Sequence, residues 1–145
     1  MDIQTSSEQA LALAFAGAWD RLARRLDHSL GAIRGISLAE YRLLRALGEA
    51  PGTRASRVDL ADSVGLTPSG VTRALRPMEK LGIVSTEKSE RDARLAIATL
   101  TPAGRELLED ASGVVDDTMK TVLKRSPQTA THAADIADWL DNIGR

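Results

Sequence analysis

Residues 65–84 read GLTPSGVTRALRPMEKLGIV. Two glycines, Gly65 and Gly82, bracket one predicted helix. Thr67 supplies an N-cap hydroxyl, and Pro68 fits the first turn, where a missing amide costs nothing. Val71, Ala74, Leu75, Met78 and Leu81 recur at helical spacing and form an apolar stripe. Ser69, Thr72, Arg73, Arg76 and Lys80 fall on the opposite side, with the only acid, Glu79, on the flank. A surface helix without a ligand usually mixes its charges. This face does not, and it asks for an anionic partner. Pro77 removes one internal hydrogen bond and crowds the carbonyl of Arg73, which predicts a kink late in the helix.

The flanking sequence supplies the context. Upstream, Ser56 to Asp59 (SRVD) starts a short helix with Leu60, Ala61 and Val64 facing inward, closed by Gly65. A short helix, a tight turn and a second helix with a polar outer face make a helix-turn-helix. Downstream the period changes. IVSTEK and RLAIATL are β-branched and roughly alternating, with Leu95, Ile97 and Thr99 sharing one side and the charged SERDA between the two runs. This predicts a two-stranded hairpin, a wing attached to the helix-turn-helix.

Helices flank this unit on both sides. Leu11, Phe15, Trp19, Leu22 and Leu26 give a long amphipathic helix over about residues 8–30, with Gly31 and Gly35 marking its break. Ser37 to Glu40 (SLAE) is a capping box, followed by the stripe Leu38, Tyr41, Leu44 and Leu47 up to Gly48 and the Pro51-Gly52 turn. After the hairpin, Thr101-Pro102 and Ser126-Pro127 start two more helices, over residues 102–125 and 127–143. The fold class read from this order is mainly α with a small β-hairpin: a winged helix-turn-helix between long helices.

Composition narrows the function. The 145 residues contain no cysteine, which removes disulfides, thiolate metal sites, thiol nucleophiles and thiol redox sensing together. Two histidines, His28 and His132, make a histidine-based metal centre a poor expectation. No nucleophile–base pair, metal-ligand cluster or glycine-rich phosphate loop is present, so no catalytic residue, metal or cofactor is expected. The net charge of −1 hides an asymmetry. Residues 1–52 hold 6 Lys/Arg and 6 Asp/Glu, residues 53–105 hold 9 and 6, and residues 106–145 hold 4 and 8. Only the basic middle suits a polyanion. The apolar run LALAFAGAW (11–19) is too short to span a bilayer and lacks preceding cations. The expectation is a soluble cytoplasmic protein with no membrane partner.

The stretches ISLAEYRLLRAL, LADSVGLTPSGVTRALRPMEKLGIV and RDARLAIATLTPAGRELL together resemble the MarR (multiple antibiotic resistance regulator) family of winged-helix transcription regulators. The most specific features are Asp92 and Arg94 in RDAR and the L-T-x-x-G run from Leu100 to Gly104. Family members commonly carry an arginine two residues after the I/L-V that begins the wing; Thr86 stands there. The resemblance implies three regions. Residues 1–34 would be an N-terminal dimerisation helix, 35–100 a winged helix-turn-helix DNA-binding domain, and 101–145 C-terminal dimerisation helices. It implies a homodimer on a near-palindromic operator, with repression as the expected sense.

The candidate DNA contacts follow. An α-helix fills the major groove and its N-terminal residues reach base edges. That assigns Thr67, Ser69, Gly70, Thr72, Arg73 and Arg76 to double-stranded DNA, Gly70 by permitting close backbone approach. By resemblance, Arg94 enters the adjacent minor groove and Asp92 holds it; Lys88 and Arg91 are backbone candidates, and Arg54 and Arg57 phosphate candidates. Relatives often bind small aromatic or phenolic acids, so a small aromatic effector is a candidate ligand, with Trp19, His28 and Tyr41 as candidate pocket residues. Each assignment has a plainer counterpart. The helix cations could be solvated, Asp92–Arg94 could be a local ion pair, and Trp19 and Tyr41 could be core or dimer residues. At the level of the whole chain, the alternative is a winged-helix module that binds a partner regulator and not DNA. Steep salt dependence separates the two, because phosphate contacts release counterions.

Overall fold

The computed structural model describes residues 3–88, 91–92 and 96–145. Helix α1 (Ser7–Arg34) is 28 residues long, about 42 Å at the usual rise per residue. Ser6 and Gln9 cap its start reciprocally. It runs through Gly31 and ends at Gly35, which adopts a left-handed φ of 68°. The break expected at Gly31 does not occur. Leu30 beside it is fully buried, and that packing outweighs the ~1 kcal/mol intrinsic cost of a mid-helix glycine.

Helix α2 (Leu38–Glu49) starts at the expected capping box: the Ser37 hydroxyl accepts from the Glu40 amide and the Glu40 carboxylate from the Ser37 amide, both at 3.0 Å. The Asp27 carboxylate accepts the Leu38 amide at 2.7 Å, which ties α1 to this start. A short 3-10 turn at Pro51–Thr53 leads to β1 (Arg54–Ser56), then α3 (Arg57–Val64) and α4 (Pro68–Lys80). Gly65 closes α3 in the left-handed region and turns the chain into α4. Helix α4 continues through Pro77 to Lys80, and Met78 beyond the proline is still buried. Leu81, expected in the buried stripe, is 75% exposed because the helix has ended before it.

The wing contains β2 (Val84–Glu87) and β3 (Ile97–Leu100). The expected two-stranded hairpin is one part of a three-stranded antiparallel sheet, in the order β1-β3-β2. Arg54 pairs with Thr99 and Ser56 with Ile97 across β1 and β3; Val84 pairs with Leu100 and Glu87 with Ile97 across β2 and β3. Strand β1 is three residues long, too short to show an alternating period. The side of β3 turned to the core is Ala98 and Leu100, preceded by buried Ala96, while Ile97 and Thr99 are half-buried. The two alanines let the sheet lie close to the helices.

Helix α5 (Pro102–Leu123) returns along α1. The expected helix over 127–143 is split into α6 (Pro127–Thr131) and α7 (Ala133–Asp141), broken at His132. The Ser126 hydroxyl meets the Thr129 hydroxyl at 2.6 Å and caps no amide, unlike Thr67 and Thr101. One continuous core joins Leu30 of α1, Leu43, Leu44 and Leu47 of α2, Leu60 and Val64 of α3, Val71, Leu75 and Met78 of α4, and Ala111 and Val114 of α5. The architecture is mainly helical with a small sheet, a winged helix-turn-helix between long helices.

The step from β3 into α5 is the tightest junction. The Thr101 hydroxyl lies 2.6 Å from the Gly82 carbonyl and 2.9 Å from the Ile83 carbonyl, and it accepts the Gly104 amide at 3.1 Å. The Thr101 amide donates to the same Ile83 carbonyl at 3.1 Å. A Cβ on Gly104 would stand 2.1 Å from that oxygen. In an exposed helix a Gly→Ala change gains up to ~1 kcal/mol. Here Gly104→Ala is expected to destabilise by about 1–3 kcal/mol through overpacking, read as a lower urea midpoint. An unchanged or raised midpoint would disprove the close approach.

Candidate nucleic-acid interface

The local chemistry of α4 prepares its N-terminus for an anion. The Thr67 hydroxyl accepts the Gly70 amide at 3.0 Å, and Pro68 occupies the first turn. The remaining free amides and the helix dipole point outward from such a terminus. Gly70 has a local reason as well as a functional one: a Cβ there would lie 3.3 Å from the Thr67 hydroxyl oxygen.

Ser69, Arg73, Arg76 and Lys80 form one exposed ridge at spacings of four, three and four. Among the described residues, neither Arg73 nor Arg76 takes part in an ion pair or a side-chain hydrogen bond. Thr72 is different. It is half-buried, and its hydroxyl donates to the Pro68 carbonyl at 3.1 Å. Its proton is spent inside the helix, so toward a base edge it can only accept. Thr67 likewise has its oxygen engaged in the cap. Of these candidates, Ser69, Arg73 and Arg76 therefore keep their side chains free for a ligand. Glu79, the only acid on α4, is half-buried and accepts a hydrogen bond from the Thr86 hydroxyl of β2. This link between wing and helix was not foreseen. A polar residue in the wing strand, where the family resemblance expects arginine, was the only signal for it.

The other sequence-derived candidates are distributed around this ridge. Arg54 is exposed on β1. Arg57 opens α3, with its amide donating to the Ala96 carbonyl at 3.2 Å. It is half-buried rather than splayed into solvent, and its Nε is buried without a hydrogen-bond partner. Lys88 and Arg91 are exposed at the wing, and Asp92 is half-buried. Arg94 lies outside the described residues, so the expected Asp92–Arg94 relation lies outside them too.

The structure does not bring Trp19, His28 and Tyr41 together within one chain. Trp19 lies in a shallow depression with Leu38 and Arg42. His28 lines another with Arg21, Arg24 and Arg25. Tyr41 borders a third, lined also by Arg42, Arg45, Glu49, Arg54 and Asp59. The Tyr41 hydroxyl lies 3.2 Å from the Ser112 hydroxyl and links α2 to α5. Arg45 is raised above its ordinary guanidinium range by its hydrogen bond to Glu49. Among the described residues no group of three or more His, Cys, Asp or Glu could hold a metal ion, and no helix is long and apolar enough to cross a membrane.

The MarR family model matches residues 34–95, the stretch from the end of α1 through the wing. The uncharacterized HTH-type transcriptional regulator YdgJ of Bacillus subtilis (strain 168) is 34% identical over 92 residues, 63% of this chain and 55% of YdgJ. The chain thus spans about half the length of that curated relative. The structure is similar to that of Sco3205, a MarR family transcriptional regulator from Streptomyces coelicolor solved in complex with DNA. The TM-score is 0.78 at 26% identity, covering 97% of this chain and 90% of that one. It shares its fold with BpsR from Bordetella bronchiseptica, whose DNA binding is regulated by 6-hydroxynicotinic acid: TM-score 0.79, 16% identity, coverage 94% and 99%. The fold is shared with solved transcription regulators of that family.

The cap that presents the ridge is separately testable. Thr67→Ala is expected to cost about 1 kcal/mol of stability, while Thr67→Ser keeps most of it. Urea denaturation of both variants is the measurement, and equal stabilities would show that the hydroxyl does not hold the α4 terminus.

Proposed function

We propose that this chain is a MarR family regulator, a sequence-specific DNA-binding transcription regulator acting as a homodimer, with repression as its sense; the match of the family model to residues 34–95 supports it. The observation that carries the reading is the exposed, unpaired ridge Ser69–Arg73–Arg76–Lys80 on a capped helix, next to a wing that exposes Lys88 and Arg91. An arginine gripping guanine through two hydrogen bonds discriminates bases by about 1–3 kcal/mol. Serine adapts to bases or phosphate, and Lys80 adds a phosphate charge. Pro77 lies past Arg76, where the helix no longer needs to follow the groove floor. The relative from Streptomyces coelicolor was solved with DNA bound, which supports the same use of this fold.

The apolar surface supports the second copy. The face of α1 that is buried at Leu26 and Leu30 continues toward the N-terminus as Phe15 and Trp19, which are 42% and 47% exposed. Helix α7 has no buried residue, and Trp139, Leu140 and Ile143 stand in solvent. Between α1, α5, α6 and α7 lies an apolar cleft of about 670 Å³, lined by Leu22, Met119, Val122, Ile136 and Leu140 among others. Surface of this kind on a small chain marks an interaction site. A two-fold dimer would set two α4 helices about one DNA turn apart, roughly 34 Å, and so require a near-palindromic site.

A small aromatic acid is the proposed effector class. The support is the relative whose DNA binding responds to 6-hydroxynicotinic acid. Trp19 and Tyr41 could offer ring faces, and Arg42 borders both of their depressions as a carboxylate partner. His28 would join such a site only through an arrangement created by the second copy.

The DNA reading is tested by fluorescence anisotropy on the DNA flanking the protein's own gene, at two salt concentrations. Tight binding should fall steeply with salt, by about 0.9 in log–log slope per neutralised phosphate. Arg73→Ala and Arg76→Ala should each cost about 1–3 kcal/mol on the specific site and less on random DNA. Arg94→Ala should weaken binding as well. Salt-insensitive or absent binding by a folded dimer would favour a protein partner. For the dimer, Phe15→Glu combined with Trp19→Glu is expected to yield a folded monomer by sedimentation equilibrium; an unchanged mass would overturn that interface.

A further inference from the structure

Glu79 poses a problem for the ridge it flanks. On a helix, residues three apart are neighbours, and Glu79 follows Arg76 by three positions in α4. A carboxylate there would be expected to claim the Arg76 guanidinium and remove it from any ligand. It does not. Arg76 is exposed and has no ion pair or side-chain hydrogen bond among the described residues. Glu79 instead accepts the hydroxyl proton of Thr86, seven residues on, from the middle of β2. Both partners are half-buried, so the bond is sheltered, and a hydrogen bond to an ionised acceptor is among the stronger ones.

We propose that Thr86 is a positioning residue for DNA binding: by occupying the Glu79 carboxylate it keeps Arg76 free for the anion, and it couples the wing strand to the recognition helix. The role rests on the DNA-binding reading above. Threonine suits it because its hydroxyl reaches the carboxylate without adding a second cation that would itself attract phosphate. Removing the hydroxyl frees Glu79 in two harmful ways. The carboxylate gains an i,i+3 partner in Arg76, and it is no longer held toward β2, away from the helix face that meets phosphates.

The test compares wild type, Thr86→Val, Glu79→Gln and the double variant in two assays. In urea denaturation without DNA, Thr86→Val should lower the folding equilibrium constant about tenfold, and by clearly less in the Glu79→Gln background. In DNA anisotropy, Thr86→Val should weaken binding about threefold and reduce the salt slope by about one, because the Arg76 charge is then paired with Glu79 and no longer with the DNA. Glu79→Gln alone should change affinity little, and added to Thr86→Val it should restore both affinity and slope. A role confined to folding would move the first assay and leave the slope unchanged, and that result overturns the proposal. Loss of affinity that Glu79→Gln does not restore overturns it too, because the carboxylate is then not the cause. Absence of any coupling in the first assay would remove the hydrogen bond itself. Salt-insensitive or absent binding by wild type would instead defeat the DNA-binding reading, and the positioning role would fall with it.

Discussion

One hydroxyl joins three parts of the molecule: the end of α4, the wing and the start of α5. Thr101 Oγ1 faces the carbonyls of Gly82 and Ile83 and holds the Gly104 amide. Gly82 and Ile83 end the α4 connection, and Gly104 belongs to the first turn of α5. The hydroxyl therefore fastens the exit of α4 to the start of α5, which runs back along α1. Gly104 has no side chain because the Ile83 carbonyl occupies that space. A threonine followed three residues later by glycine is thus a steric and hydrogen-bonding solution to joining wing and long helix in a small volume.

The same economy governs the charges. The molecule has almost no net charge, yet the ridge on α4 carries three cations and its one acid is held from behind. Acidic residues gather on α5 and α7, away from the ridge in sequence. Local placement of charge, rather than the total, is what would let a chain with a pI near 6.1 approach a polyanion.

Much of this was legible in the sequence, and the failures have identifiable causes. The starts of α2, α3, α4 and α5 were readable because each is written in side-chain chemistry: Ser37, Ser56, Thr67 and Thr101 all cap as their type and position imply. Helix ends were less readable. Glycine inside a pattern suggests a stop, but Gly31 lies within a helix whose neighbour Leu30 is locked in the core. Strand β1 was missed because its partner, β3, lies more than forty residues away. The split at His132 had no breaker residue to announce it. In the candidate site, the ridge was visible as spacing. The engagement of Thr72 with Pro68 and of Thr86 with Glu79 was not, because a hydroxyl's partner depends on the rotamer and on the neighbouring element.

The placement of the aromatic residues has a practical side. The chain has two tryptophans, Trp19 on α1 and Trp139 on α7, 47% and 63% exposed in the single chain. Both lie outside the segment from α2 through the wing. Intrinsic tryptophan emission therefore originates wholly in the flanking helices, and the helix-turn-helix is silent in it. Any blue shift on concentrating the protein would report burial of the helical body, with little contribution from the helix-turn-helix. Melting of the wing alone would leave the spectrum almost unaltered. The molecule separates by itself the optical signal of its body from the events at its ridge.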